Sequence, residues 1–140
     1  MPITLIIVTP EGGRFEGPVE RVVVPGTEGD FGVLPGHERF LSPVRIGELE
    51  VEASGTDRRW AAVSNGFAEV NGDRVVLMVD ACDFAPNIDK ARAERAKARA
   101  ERELAHFEVS EEEEANFRLA EAALQRAIVR IQVAGRTHGI

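Results

Sequence analysis

The chain has 140 residues, a single cysteine and a formal net charge of −7, which is material for one ordinary domain or for a small domain with an appendage. Lone Cys82 excludes an internal disulfide and fits a reducing compartment. No stretch approaches the ~20 apolar residues that span a bilayer, and Met1-Pro2-Ile3-Thr4 lacks the charged opening and small-residue cleavage site of a signal peptide, so a cytosolic protein is expected.

The charge and the turn residues divide the chain near Pro86. All seven prolines and eleven of the thirteen glycines precede residue 87. Residues 1–86 carry seven Lys/Arg against fourteen Asp/Glu, whereas 87–140 carry ten of each. An acidic body argues against a nucleic-acid partner, whose binding is dominated by cations that neutralise phosphates. The expected domains are therefore 1–86 and 87–140.

The first part predicts short strands in quick succession. Residues 3–8 form a continuous apolar run suited to a strand buried on both faces. Residues 19–24 end at the turn signal Pro25-Gly26, and 31–34 end at Pro35-Gly36. In 46–53, Ile46, Leu49, Val51 and Ala53 are set against Glu48, Glu50 and Glu52, as in a half-solvated strand. Residues 58–64, containing Trp60 and Val63, come next. Residues 67–70 and 74–79 flank Asn71-Gly72-Asp73, a hairpin turn in which Asn and Gly accept positive φ. Strands this short and frequent predict a sandwich or barrel.

After Pro86 the period becomes helical. Asn87 is the expected N-cap of a first helix, with Ala93, Ala96, Ala100, Leu104 and Phe107 in one stripe. A polar linker over 108–114 follows, in which Ser110 and Glu113 have capping-box spacing and Glu111, Glu112, Glu113 and Glu114 suit the positive end of a helix dipole. The second helix presents Phe117, Ala120, Leu124, Ile128 and Ile131 and should stop at Gly135. Two helices of roughly twenty residues, each ~30 Å long, with a short connection make an antiparallel hairpin. Its alanines bury little area, while its Ala, Glu, Arg and Lys favour helix strongly. The expected result is a hairpin that is stable as helix and lightly docked.

No catalytic constellation is present in the sequence. His37, His106 and His138 show no zinc-like spacing with Cys82, which has no basic neighbour to activate it. There is no nucleophile elbow and no Walker loop. Residues 25–36 are glycine-rich but lack the Lys-Ser/Thr ending, and Glu28 and Asp30 would repel phosphate. Arg92, Arg95, Arg99 and Arg102 line one face of the first helix, and Arg126 and Arg130 lie one turn apart on the second. Interspersed Glu94, Glu101 and Glu103, with Arg99 and Glu103 at i,i+4, allow an ordinary solvated face. Facing arginines also allow a polyanion site, for a phosphate group or for an acidic segment of a partner.

Residues 22–49, VVVPGTEGDFGVLPGHERFLSPVRIGEL, resemble the signature of the epsilon subunit of bacterial F-type ATP synthases, called delta in mitochondria. The pattern is met by Pro25-Gly26, Glu28-Gly29, Gly32, Pro35-Gly36-His37 and Gly47-Glu48-Leu49. Residues 64–70, SNGFAEV, resemble a later GGFAEV motif, with Asn65 replacing the first glycine. The likeness spans essentially the whole chain.

The resemblance implies an N-terminal β-sandwich of about ten short strands followed by a C-terminal antiparallel α-helical hairpin. It also implies a non-catalytic rotor subunit in the central stalk of a proton-translocating ATP synthase. Its partners would be the gamma subunit, the c-ring and the alpha/beta catalytic hexamer, and it would meet the membrane only through the complex, on the cytoplasmic face of the bacterial plasma membrane. A loop carrying Glu28, Asp30 and His37 would face the c-ring. The helical arm would either fold against the sandwich or extend into the hexamer and restrain ATP hydrolysis.

Some bacterial members bind ATP on the folded arm through I/L-D-x-x-R-A, a motif fitted here by Ile88-Asp89-Lys90-Ala91-Arg92-Ala93. Arg99, Arg126 and Arg130 match further arginines of those members. Asp83 stands where they have a glutamate, one methylene longer, and the turn between the helices is longer here. No cofactor is required on this reading, and ATP enters only as a regulatory ligand. Two other readings are a free-standing ATP-sensing module whose hairpin closes on nucleotide, and a scaffold with a coiled-coil arm.

Overall fold

The fold is taken from a computed structural model, which describes residues 2–106 and 111–136 and, over 111–113, the backbone alone. Ten strands come first: β1 (Ile3–Thr9), β2 (Gly12–Val19), β3 (Arg21–Gly26), β4 (Gly29–Val33), β5 (Phe40–Val44), β6 (Gly47–Ser54), β7 (Asp57–Val63), β8 (Gly66–Asn71), β9 (Arg74–Val79) and β10 (Cys82–Phe84). A 3₁₀ turn (Ala85–Asn87) leads to the helices α1 (Lys90–His106) and α2 (Glu111–Ala134). The β-sandwich with a C-terminal helical hairpin is therefore the observed architecture.

Hydrogen bonding runs in one ladder, β10-β7-β6-β3-β5-β8-β9-β1-β2, with β4 paired to β3. Every pairing is antiparallel except β1 with β9. The ladder folds over so that β2 contacts β6, and all strands share one apolar core. Alternation determines its membership: Ile3, Leu5 and Ile7 from β1, Val22 and Val24 from β3, Leu49 and Val51 from β6, and Val75 and Leu77 from β9 are shielded from solvent.

Several sequence expectations change here. β1 is buried on one face, because Thr4 is exposed and Ile6 and Val8 are half-buried on an uncovered sheet surface. Pro25-Gly26 is not a turn. Both residues lie in β3, opposite Asp30 and Gly29, and the chain reverses at Thr27-Glu28. Residues 19–24 divide at Glu20 between β2 and β3.

Strands β2, β5 and β10 were not anticipated. β2 is glycine-rich and sits at the end of the ladder, where Pro18 can be accommodated. β5 contains Pro43, tolerated because β5 bonds β3 only at Gly26–Val44 on that side. β10 has only three residues. The β8–β9 hairpin forms as expected, its turn narrowed to Gly72-Asp73 with Gly72 at φ +63°.

The helices also differ in detail. Asn87 belongs to the 3₁₀ turn, and Asp89 caps α1 instead, its Oδ1 accepting the Arg92 N–H at 3.1 Å. Residues 111–114, read as linker, are the first turn of α2. Phe107, Ser110 and His138 lie outside the described residues, so the proposed capping box does too. α2, by contrast, stops at Gly135 as expected: its last helical residue is Ala134, and i→i−3 bonds close its last turn.

The buried helix positions are small. α1 buries Ala93 and Ala100, and α2 buries Ala120, Ala127 and Val133. Of the stripe expected on α2, only Ala120 is buried. Leu124, Ile128 and Ile131 are half-buried and Phe117 is exposed. Facing alanines let two helix axes approach closely, which moves the bulkier residues to the margin of the contact.

Candidate functional site

The hairpin is docked on the sandwich through α2, which packs on β6, β7 and the 3₁₀ turn. The apolar part of this contact is small: Ala62, Ala85 and Val133 are buried, with Trp60, Ile88 and Val129 packed around them. Two ion pairs flank it. Arg130 of α2 pairs with Asp83 of β10. Beyond the helix end, Arg136 donates from Nε to Glu48 Oε1 at 2.6 Å and from Nη2 to Oε2 at 3.1 Å. The same guanidinium carbon lies 5.7 Å from the Trp60 ring centroid. The hydrogen bond to Glu48, with that carboxylate's charge, raises the Arg136 pKa above its ordinary value.

Between the two helices and the sandwich is a cavity of about 700 Å³. Its sandwich side is formed by Ala62, Val63, Ser64, Ala81 and Asp83, where the Ser64 N–H donates to the Ala81 carbonyl at 3.0 Å. α1 and the residues leading into it contribute Asn87, Ile88, Asp89, Arg92, Ala93, Arg95, Ala96 and Arg99. α2 contributes Ala123, Arg126, Ala127, Val129 and Arg130. All eight residues expected at an ATP site, Asp83, Ile88, Asp89, Arg92, Ala93, Arg99, Arg126 and Arg130, thus line one space although they span 48 positions of sequence. Extended Phe84 and Pro86 in the 3₁₀ turn redirect the chain so that Asp83 and Asp89 reach the same cavity.

Five arginines meet two aspartates in this space, and Arg130 is held by Asp83 while Asp89 is engaged in capping. Arg92, Arg95, Arg99 and Arg126 are exposed, and no ion pair among the described residues holds them. The pair Arg99–Glu103 allowed by spacing is absent; among the described residues the ion pair within a helix is Arg118–Glu114. Arg102, in the same sequence row, does not line the cavity. The arrangement sets four guanidiniums without ion-pair partners among the described residues beside a partly apolar wall, a combination whose chemistry suits an anionic ligand.

The three residues expected on a c-ring-facing loop are not on one loop. Glu28 occupies the β3–β4 turn and Asp30 is the second residue of β4, whereas His37 follows the other end of β4. Asp30 pairs with Arg45, whose Nε also donates to the Gly26 carbonyl at 3.2 Å, fastening that turn. His37 Nδ1 lies 2.8 Å from the Glu38 carbonyl oxygen, and its ring is 5.3 Å from that of Phe40. Buried Cys82 has its thiol pKa pushed up to about 12 by desolvation and then by the Asp83 charge. It is not a nucleophile.

Sequence reasoning missed the Arg136–Glu48–Trp60 contact, for which no local spacing gives a sign because Arg136 is 88 and 76 positions from Glu48 and Trp60. It also left Arg95 out of the ATP set, although its place in the arginine row was visible.

Residues 2–85 match the family described as ATP synthase, Delta/Epsilon chain, beta-sandwich domain, and residues 87–135 match its long alpha-helix domain. The chain belongs to the ATP synthase delta/epsilon family. It is similar to the ATP synthase epsilon chain of Syntrophobacter fumaroxidans, 44% identical over 135 residues that cover 96% of this chain and 97% of that one. The epsilon chain of Bacillus velezensis is 42% identical, covering 92% and 94%.

Among solved structures, a chain of the Euglena gracilis mitochondrial ATP synthase, from an OSCP/F1/c-ring assembly, superimposes with a TM-score of 0.80 at 26% identity over 96% of this chain and 82% of that one. A Tetrahymena thermophila mitochondrial ATP synthase chain, at 13% identity and a TM-score of 0.58, shares the fold. Family membership makes this chain a subunit of ATP synthase and supports the central-stalk reading over the free-standing sensor. Among the described residues no helix is long and apolar enough to cross a membrane.

Proposed function

We propose that residues 1–86 anchor the chain to the gamma subunit and the c-ring, and that 87–140 form a movable arm that regulates ATP hydrolysis by the alpha/beta hexamer. The chain has no catalytic site of its own on this reading and sits peripherally at the cytoplasmic face of the bacterial plasma membrane, held there by the complex. Glu28, Asp30 and His37 are surface positions for the c-ring contact, offered from two turns rather than one. ATP is a ligand of the docked arm, in a site lined by Asp83, Ile88, Asp89, Arg92, Ala93, Arg99, Arg126 and Arg130, and no cofactor is needed.

The observation that carries this proposal is the cavity, which exists only while the hairpin lies on the sandwich because both bodies line it. A ligand that fits there binds the docked state alone, and a ligand shifts such a balance by its differential affinity for the two states. The docking contact is weak enough to be reversible. Burying Val133 contributes about 1.5–3 kcal/mol, and half-exposed ion pairs such as Arg136–Glu48 contribute about 0–1 kcal/mol each. High ATP favours the docked arm and leaves hydrolysis free. At low ATP the arm is released and its arginines meet acidic loops of the catalytic subunits.

The test is the reconstituted ATP synthase carrying this subunit with 87–140 deleted. Assembly should be intact and ATP hydrolysis at low ATP severalfold faster than with the full chain. An unchanged rate would remove the inhibitory role.

A further inference from the structure

We propose that Arg95 is a phosphate-binding residue of the cavity and takes the place left by Arg130. The inference rests on the reading that the docked arm binds ATP, and it adds a residue that neither the short motif nor the matching arginines include. Arg130 lines the cavity, but its guanidinium is engaged by Asp83. To serve a phosphate it would have to leave a carboxylate uncompensated in a partly buried place, which costs more than an exposed pair returns. Arg95 carries no such commitment. It lines the same cavity, is exposed, and among the described residues no carboxylate pairs with it.

Its position on α1 supports the assignment. Arg92, Arg95 and Arg99 are three and four residues apart, so they stand on one side of the helix. Arg92 and Arg99 are separated by about 10 Å along the axis at ~1.5 Å per residue, a distance comparable to an extended triphosphate. Arg95 fills the interval between them, and Arg126 faces the row from α2. The four uncommitted guanidiniums match the charge of a nucleoside triphosphate, whose terminal phosphate alone carries about −1.5 to −2 at neutral pH. Guanidinium forks bind such oxygens with two hydrogen bonds each. Ala96 and Ala123, which also line the cavity, are too small to fill it beside this row.

The experiment is isothermal titration of the full chain with ATP, comparing wild type with Arg95→Ala, Arg95→Lys, Arg92→Ala and Arg102→Ala, and with circular dichroism melts for each. One charge-assisted hydrogen-bonding group is worth about a factor of ten in affinity. Arg95→Ala should weaken ATP binding about tenfold or more, Arg95→Lys should restore part of the loss, and Arg102→Ala should bind as wild type with an unchanged melt. If Arg92→Ala loses ATP while Arg95→Ala binds like wild type, the assignment of Arg95 is wrong and the ATP site stands. If the wild type gives no heat and no binding by equilibrium dialysis, the ATP reading itself falls. Equal losses in Arg95→Ala and Arg102→Ala would reduce both to a general field effect and overturn the specific role.

Discussion

Gly66 lies in β8 opposite Val79, where a Cβ would stand 1.9 Å from the Met78 carbonyl oxygen and 2.7 Å from the Val79 Cα. The obstacle is backbone, which cannot move aside without opening the ladder, so the glycine of SNGFAEV is required by close approach rather than by its φ. Gly66→Ala should cost about 2–3 kcal/mol, seen as a lower urea midpoint with unchanged m. Gly55→Ala, with nothing within 4 Å of its added carbon, should leave the midpoint in place. Cys82 gives a pH effect of definite sign. Burial keeps its thiol protonated to about pH 12, whereas the unfolded chain releases the proton near the ordinary thiol value. The folded state therefore binds more protons across that interval, and stability falls as pH rises from about 9 toward 12. Urea midpoints measured across this range should decline in the wild type more steeply than in Cys82→Ala.

At the scale of elements, the hairpin is held to the sandwich mainly by α2, and its end is fastened by Arg136 on Glu48 and Trp60. An exposed pair of this kind contributes at most about 1 kcal/mol, a factor of about five in the ratio of docked to released arm. Glu48→Gln should raise the released fraction by up to that factor. Trp60, the sole tryptophan, reports it directly, because its emission should change as the guanidinium leaves its face, and limited proteolysis within 87–136 should accelerate. An unchanged spectrum and digestion rate would show that the clasp does not hold the arm. The alanine faces of α1 and α2 explain why the helices stay together while their attachment to the sandwich is slight. Ala93, Ala100, Ala120 and Ala127 allow close axes, but little large apolar area remains for the sandwich beyond Val133.

For the whole molecule, the acidic sandwich and the charge-balanced arm differ in composition, and the proposed function gives them different roles. The sandwich core is continuous and drawn from every layer of the ladder, so it persists whether or not the arm is docked. The cavity is lined by both bodies, so on the proposed function a ligand bound there shifts the arm toward its docked position. That coupling is why deletion of the arm should leave assembly alone while changing hydrolysis.

The sequence alone determined the change of period near Pro86, the β-then-α order, most strand positions and the arginine row, because each is a local matter of turn residues and of periods of two or 3.6. It misplaced the turn at Pro25-Gly26 and the cap of α1, because Pro, Gly and Asn suit more than one role and long-range pairing selects among them. It missed β2, which is glycine-rich, β5, which is short and carries Pro43, and β10, which has only three residues, all too brief or irregular to show a period. Which face of α2 is buried was also beyond it, since contact favours the smallest residues while pattern favours the largest. Only the tertiary structure could decide that the arm is docked, that Arg130 is engaged by Asp83 and that Arg136 reaches Glu48. These contacts join residues 47 and 88 positions apart, and no local preference encodes the meeting of such distant charges.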